Sequence, residues 1–450
     1  MKFGGTSVGS AERIRGVAAL VRGRLDRHPV VVVSALSGVT DRLIQAARLA
    51  VDRDPGTDEA IQAIATRHQE VLAELFPEGP VRKRLEAHVD ALMHELQTVC
   101  TGVQYLGELT TRSLDAVSGL GERLSCELVA ATLEQHGVPS RAVDARTLIV
   151  TDETFGRAAP LMEETEGRVQ AALRPLAETG TVPVVTGFIG ATRKGVATTL
   201  GRGGSDWSAA ILGAALPAEE IQIWTDVDGM MTVDPRVVAG ARTIPEVTFE
   251  EAAELAYFGA KVLHPATIKP AVEMGIPVWI LNSMKPESPG TLIAQSAPGE
   301  EGEPRAIAFK KGISVILISQ PRMLMAYGFV ARVFEVFNRH RTPVDLIATS
   351  EVSISLTVDD AETLPALQPD LAELGEVQVL RRMAIVSLVG RGFVRRAGLA
   401  ARVFQALRDI NVVMISFGAS EVNLSFVIAQ DDAEKAVRLL HREFFEEAPS

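Results

Sequence analysis

TTLGRGGSDWSAAILGAALPAEEIQIWTDVDG, from Thr198 to Gly229, carries one complete unit of turn, helix, strand and loop. A glycine turn runs into Ser205-Asp206, an Ala-rich helical stretch spans Trp207–Ala215, a β-branched run covers Ile221–Thr225, and the acidic loop Asp226-Val227-Asp228-Gly229 follows. The same rhythm extends in both directions from Met1 to about Ala294, with strands expected at Val30–Ser34, Val182–Gly187 and Ile276–Leu281 and a further helix at Leu124–His136. Short apolar strands alternating with helices favour an α/β fold in which helices cover both faces of a mostly parallel sheet. The rhythm breaks between about Asp41 and Leu106. There Ile61, Ile64, Val71, Leu72 and Leu75, and then Leu85, Val89, Leu92, Leu96 and Val99, keep helical spacing on either side of Pro77-Glu78-Gly79-Pro80. This spacing predicts a helical hairpin inserted in the sheet.

At 450 residues the chain exceeds what a single core supports, so two or three domains are expected. Hydrophobic residues at 47% and charged residues at 23% argue against extended disorder. The apolar runs, such as Val30–Val33, are strand-sized, far short of the roughly 20 residues that cross a bilayer. No secretory signal follows Met1, so a cytoplasmic location is expected. Cys100 and Cys126 form neither a disulfide framework nor a zinc site and read as small buried hydrophobes. A net charge of −12 disfavours nucleic acid and anionic membrane as partners.

Gln295 to Pro304, reading QSAPGEEGEP, lacks hydrophobic periodicity and is the expected linker. An internal repeat follows it. At a fixed offset, Gly328, Ala331, Arg332, Val333, Phe334, Ser350, Glu351, Val352 and Ser355 match Gly398, Ala401, Arg402, Val403, Phe404, Ser420, Glu421, Val422 and Ser425. Each copy reads as a βαββαβ module, with apolar helix faces at Val330, Val333, Phe334 and Phe337 and at Ala400, Val403, Phe404 and Leu407. The expected division is 1–294 with the insert at about 41–106, a linker at 295–304, and modules at 305–380 and 381–450 that can exchange strands. A duplicated scaffold without a ligand reads from the same pattern.

No Walker-type loop and no GxGxxG occurs, so phosphate chemistry needs another source. Lys2-Phe3-Gly4-Gly5-Thr6-Ser7-Val8-Gly9-Ser10 sets a cation before a glycine turn and a helix start, where backbone N–H groups hold anions. It also reads as an ordinary capped turn. In Gly201-Arg202-Gly203-Gly204-Ser205-Asp206, Arg202 suits a bidentate grip on a carboxylate, while Asp206 can orient a lysine or act through a metal, or be simply a first-turn acid. Glu122 fits a substrate ammonium and fits a first-turn acid equally. The loop after Ile221–Thr225, with Asp234-Pro235-Arg236 beyond it, stands where open α/β sheets collect ligands. Phe258-Gly259-Ala260-Lys261-Val262-Leu263-His264-Pro265 offers a second lysine or a solvated one.

Together KFGGTSVGS, GRGGSD, TDVDG and GAKVLHP, in this order, resemble the aspartate kinase family of the amino-acid kinase fold, and the resemblance spans Lys2 to about Glu447. It implies an αβα sandwich followed by tandem ACT domains, with ATP and Mg²⁺ as cofactors and L-aspartate as substrate. Carried over position by position, it implies Lys2 and Asp206 in the chemical step. It implies ATP contacts from Lys2, Gly4, Gly5, Ser7, Thr225, Asp226, Met231, Asp234, Arg236, Lys261 and Val262, with magnesium brought by the nucleotide and not by a protein cage. Aspartate contacts are implied for Ser34, Thr40, Glu122, Arg202, Gly203, Gly204 and Ser205. The chemistry agrees: a carboxylate nucleophile is already ionised at neutral pH and needs no general base, so positioning and cations carry the catalysis.

The chain departs from the family pattern in two places. Only Met1 precedes Lys2, so the first strand is expected to be short, and Met231 stands where many relatives carry an aromatic residue. The long insert resembles monofunctional members, and no dinucleotide fingerprint follows the repeats, so a fused homoserine dehydrogenase is not expected.

Asp345 in the first copy aligns with Ile415 in the second, so the first alone offers a carboxylate to a charged amine. The resemblance implies that Met323, Gly328, Phe329, Val330, Asp345, Ser350 and Glu351 hold L-lysine as an effector, while Asp345 as a solvated loop acid is the plainer reading. Half-buried sheets with open edges predict a homo-oligomer through the ACT modules. The alternatives are an amino-acid kinase acting on glutamate, a nucleoside monophosphate or carbamate, and a catalytically silent amino-acid sensor. The Glu122 and Arg202 pair disfavours the first, and the retained Lys2, Asp206 and Lys261 disfavour the second.

Overall fold

The computed structural model describes residues 1–259, 265–299, 301–320, 327–359 and 363–446, so Lys261, Val262 and Met323 lie outside the described residues. The chain forms two compact units. Met1–Met230, Pro245–Val247 and Val262–Ala297 make the first, and Met231–Ile244, Thr248–Lys261 and Pro298–Ser450 the second.

The strands of the first unit are β1 (Lys2–Phe3), β2 (Val31–Val33), β3 (Ser140–Val143), β4 (Val150–Thr151), β5 (Val182–Thr186), β6 (Ile189–Thr192), β7 (Ala197–Thr199), β8 (Ile221–Thr225), β9 (Glu246–Thr248, its last residue assigned to the second unit), β10 (Val278–Asn282) and β11 (Thr291–Ala294). Eight of them form one sheet in the order β3-β5-β2-β1-β8-β10-β11-β9. Neighbours from β3 through β10 are parallel, and β11 turns back antiparallel to β10. β4, β6 and β7 make a small second sheet.

The helices here include α1 (Ala11–Arg22), α2 (Val39–Val51), α3 (Gly56–Leu75), α4 (Pro80–Leu106), α5 (Thr111–Ser118), α6 (Leu120–Gln135), α7 (Met162–Glu178) and α8 (Gly204–Ala215). The expected hairpin is α3 and α4, joined through Pro77-Glu78-Gly79-Pro80, with Pro80 at the first position of α4 where its missing N–H costs nothing. Its apolar stripe, including Ile64, Leu72, Leu85 and Leu96, is buried in the unit's core.

β1 is two residues long, as expected, yet it lies in the middle of the sheet between β2 and β8. Phe3 and Trp224 from adjacent strands are fully buried, with ring centroids 6.0 Å apart. Each such side chain contributes about 1.5–3 kcal/mol through burial, which fixes a strand too short to hold by its ladder alone. Both cysteines are buried and free, and burial pushes the Cys100 thiol up to about 11. No helix among the described residues is long and apolar enough to cross a membrane.

The second unit gathers α9 (Phe249–Phe258) with the two repeats; α10 (Lys269–Glu273) belongs to the first unit. The repeats comprise β12 (Ala306–Ser319), α11 (Phe329–Arg339), β13 (Ile347–Thr349), β14 (Ser353–Val358), α12 (Leu364–Ala372), β15 (Glu376–Val389), α13 (Leu399–Ala406), β16 (Val412–Phe417), β17 (Asn423–Ala429) and α14 (Ala433–Phe445). Their strands form one antiparallel sheet in the order β13-β14-β12-β15-β17-β16. β12 and β15 pair from Ala306↔Val389 to Ser319↔Glu376, with register shifts between Lys311 and Val315. Ile307 lies in the core with Leu399, Val403 and Phe426 of the second repeat, whereas Ile316 and Ile318 lie in the core with Val333, Phe337 and Leu367 of the first. β12 therefore serves both modules, one with each half.

Two features differ from the sequence reading. The stretches Met231–Ile244 and Thr248–Lys261, read as part of the first domain, pack with the repeats. Val233 joins the core of the second repeat, Thr232 O accepts the Ile307 N–H at 2.8 Å, and the fully buried Glu251 lies 3.3 Å from Arg305 Nε. In α11 the buried stripe is Phe329, Val333, Val336 and Phe337, while Val330 and Phe334, read as core, are exposed. Val333 and Phe337 are buried in both readings, while Phe329 and Val336 take the places of Val330 and Phe334, so the buried face is turned by a fraction of a turn toward Phe329.

Candidate active site

Parallel strands all present their carboxyl ends at one edge, and β1, β2, β5, β8 and β10 there release the loops that begin at Gly4, Ser34, Gly187, Asp226 and Ser283. Main-chain bonds lock these loops together. Gly4 N–H donates to Trp224 O at 3.2 Å, Ser34 N–H to Phe3 O at 3.1 Å, Gly187 N–H to Val33 O at 2.8 Å, and Ser283 N–H to Thr225 O at 2.9 Å. The Ser7 hydroxyl meets that of Ser283 at 2.8 Å. Ser283 was not singled out from the sequence, although its place directly behind a strand is the same signal that marked Asp226.

Lys2 and Asp206 meet here at 2.6 Å, Nζ to Oδ1, with side chains only 10% and 12% exposed. Lys2 comes from β1 and Asp206 from the first turn of α8, whose N-terminus is the Gly203-Gly204 turn. An ion pair this enclosed is an expensive arrangement for stability alone, since desolvation offsets much of its attraction. Gly4 stands beside it: a Cβ there would be 3.6 Å from Lys2 Nζ.

Glu122, in the first turn of α6, is 3% exposed. A Cβ on Gly121 would stand 2.6 Å from the Ala35 Cβ, so only glycine lets α6 approach the loop after β2 this closely. That approach delivers Glu122 Oε1 to the Ala35 N–H at 3.2 Å, while Oε2 is buried without a hydrogen-bond partner among the described residues. Burial pushes the Glu122 carboxyl up to about 7, opposed by the Ala35 N–H and by the positive charge of Lys2. Oε2 is thus a buried acceptor with capacity to spare, in the field of a lysine.

The remaining residues singled out from the sequence distribute as follows. Ser205 is buried behind Gly203 and Gly204, with its Cβ 2.7 Å from where a Cβ on Gly187 would stand. Arg202 is exposed and its guanidinium has no ion-pair partner among the described residues. Ser34 is half-buried, and Thr40 lies in the first turn of α2. The Thr225 hydroxyl donates to the exposed Asp226 at 3.2 Å. Met231, Asp234 and Arg236 belong to the second unit, where Arg236 Nη2 pairs with Asp234 at 2.7 Å and holds that carboxyl below its usual range, and the Thr243 hydroxyl contacts the Met231 sulfur at 3.5 Å.

Among the effector candidates of the second unit, Gly328 and Phe329 open α11, the Ser350 hydroxyl pairs with that of Ser353 at 2.8 Å, and Val330 and Glu351 are exposed. The Asp345 side chain is only 3% exposed and is not a solvated acid; its Oδ2 lies 3.6 Å from Lys310 Nζ. The Tyr257 hydroxyl of α9 donates to its Oδ1. Burial pushes the Asp345 carboxyl up, with Tyr257 and Lys310 acting the other way.

The sequence of residues 1–282 matches the model of the amino acid kinase family, and residues 316–369 and 386–444 match that of an ACT domain. Aspartokinase 2, chloroplastic, of Arabidopsis thaliana is 40% identical over 100% of this chain and 84% of its own length. The crystal structure of E. coli aspartokinase III in complex with aspartate and ADP (R-state) superposes with a TM-score of 0.85 at 36% identity, covering 99% of each chain. The same protein in complex with lysine and aspartate (T-state) gives 0.83 at 36% identity, again over 99% of each chain.

Proposed function

Since the chain belongs to the aspartokinases of the amino acid kinase family, enzymes that phosphorylate aspartate, we propose that it transfers the γ-phosphoryl group of ATP to the side-chain carboxylate of L-aspartate, giving 4-phospho-L-aspartate. This is the entry step to lysine, threonine and methionine, and lysine feeds back on it. The observation that carries the reading is the enclosed Lys2–Asp206 pair at the carboxyl edge of a parallel sheet, beside a buried Glu122 with an open oxygen.

The substrate carboxylate attacks already ionised, so the chain's task is to hold two anions in line and spread the charge that develops between them. Lys2 faces the transferring group and Asp206 holds its ammonium in place. Arg202 takes the α-carboxylate in a bidentate grip and Glu122 takes the α-ammonium, so that two opposite charges held apart select an α-amino acid. Ser34, Thr40, Gly203, Gly204 and Ser205 complete the aspartate pocket. The loops at Gly4, Gly5, Ser7, Thr225 and Asp226 meet the nucleotide. Magnesium carried by the phosphates would neutralise their charge, and Asp226, exposed at the end of β8, is the carboxylate that would meet its hydration shell.

For regulation, lysine enters the first ACT module along Met323, Gly328, Phe329, Val330, Ser350 and Glu351, and its ammonium takes Asp345 in place of Lys310 and the Tyr257 hydroxyl. The protein acts in the cytoplasm as an oligomer assembled through these modules. Trapping acyl phosphate with hydroxylamine across the twenty amino acids, with and without lysine, tests the whole reading. Hydroxamate is expected from aspartate alone. Equal product from glutamate would sink the substrate assignment, and insensitivity to millimolar lysine would sink the effector.

A further inference from the structure

Asp115, on α5, is a buried carboxylate that none of the roles above uses: it is 2% exposed and has no ion-pair partner among the described residues. Both of its oxygens are occupied by donors from distant chain. The Gly156 N–H donates to Oδ2 at 2.9 Å, the Thr199 N–H to Oδ2 at 3.0 Å, and the Thr199 hydroxyl to Oδ1 at 2.6 Å. A carboxylate, which only accepts, meets all three converging donors at once.

These donors lie directly under the Arg202 turn. Thr199 ends β7 just ahead of Leu200, Gly201 and Arg202, and its carbonyl accepts the Ala158 N–H at 2.9 Å. A Cβ on Gly201 would stand 3.2 Å from the Gly156 carbonyl oxygen, so the loop that Asp115 grips is packed against the residue preceding Arg202. On its backbone side, Asp115 lies one helical turn before α6, the helix of the second proposed charge. Its backbone carbonyl accepts the Gly119 N–H at 3.1 Å, and Gly119 is the residue that opens α6, the helix of Glu122. The Asp115 side chain thus grips the end of β7, three residues before Arg202, while its own helix, α5, runs through Gly119 directly into α6, which carries Glu122.

We infer that Asp115 is a positioning residue that sets the separation between Arg202 and Glu122, and so the fit of the site to the paired charges of an α-amino acid. The inference rests on the roles proposed for those two residues. Misplacing a binding group by an ångström weakens only the interactions it makes, so the effect falls on aspartate and not on ATP.

Steady-state kinetics of the full-length enzyme decide it. Asp115→Ala is expected to raise the KM for aspartate by about tenfold or more while the KM for ATP stays within about twofold. Hydrogen exchange at the Gly156 and Thr199 amides should quicken in the same variant. Thr199→Val, which removes one donor and leaves both N–H bonds, should shift the aspartate KM in the same direction by about threefold. Asp115→Asn should restore it to near wild type, because its amide oxygen can accept both N–H groups while its NH₂ donates to the Thr199 hydroxyl. Arg202→Gln and Glu122→Gln run alongside. If both leave the aspartate KM unchanged, the charge assignment and this inference fall together. If both raise it while Asp115→Ala and Thr199→Val do not, the positioning role alone is wrong. A parallel rise of both KM values in the Asp115 and Thr199 variants would mean general loosening and would also overturn it. Should Asp115→Ala fail to fold, an unchanged aspartate KM in Thr199→Val is sufficient to reject the proposal.

Discussion

Aspartate binding should expel a proton from Glu122. Burial holds this carboxyl at about 7 in the free enzyme against 4.5 for an ordinary glutamate, so at pH 7 about half of the molecules carry it protonated. An ammonium group brought within ion-pair distance lowers a carboxyl pKa by about 1–3 units, which takes it to about 5. The bound state is then almost wholly ionised, and about half a proton leaves per aspartate bound at pH 7. The sign follows from which state holds the proton more tightly. Free enzyme does, so affinity for aspartate rises with pH between about 5 and 7 and levels above, a change of about tenfold between pH 6 and pH 8. Folding responds oppositely. A carboxyl raised in the folded state contributes stability below about 4.5 that is lost as pH rises through about 7, in all about 3 kcal/mol. Titration calorimetry at pH 6, 7 and 8, in two buffers of different ionisation enthalpy, reads the proton count directly. Zero release at pH 7 together with flat affinity would refute the argument, as would an unchanged proton count in Glu122→Gln.

Three further outcomes are expected. Lys2→Ala should lower kcat by about 10²–10³ while moving the aspartate KM little, because a lysine beside the transferring group acts chiefly on the transition state, and Asp206→Ala should lose a similar amount; a variant with normal turnover would make Lys2 only part of β1. Asp345→Ala should abolish lysine inhibition with uninhibited rates near wild type, and Tyr257→Phe, which releases a competing donor, should lower the lysine concentration for half-inhibition by about fivefold; inhibition curves that superpose with wild type would remove Asp345 from the effector site. Light scattering of the full chain at micromolar concentration should give a dimer or larger species, and a monomer would reject assembly through the ACT modules.

Strand β8 was legible to the residue because four of its five positions are apolar or β-branched and it sits between a proline-containing turn and an acidic loop. The central place of β1 was not, because two residues carry no period; its position comes from the burial of Phe3 against Trp224, a contact between distant segments. The same limit divides the candidate site. Lys2, Asp206 and Arg202 stand in or beside glycine-marked turns that announce themselves along the chain. The state of Glu122 does not, since its sequence is that of any first-turn acid. What decides it is the close packing of Gly121 against Ala35, where an added Cβ would stand 2.6 Å from the Ala35 Cβ, and which keeps water from the carboxyl. Asp115 lies further still from any local signal, because its partners are 41 and 84 residues away and every one of them is a backbone group or a hydroxyl that many sequences could offer. Motifs mark where a chain meets its ligands. The groups that hold those motifs at the right separation are bonded to the main chain, and because almost any residue can supply a main-chain donor, the demand falls on one acceptor alone, which leaves a single buried aspartate as its only trace in the sequence.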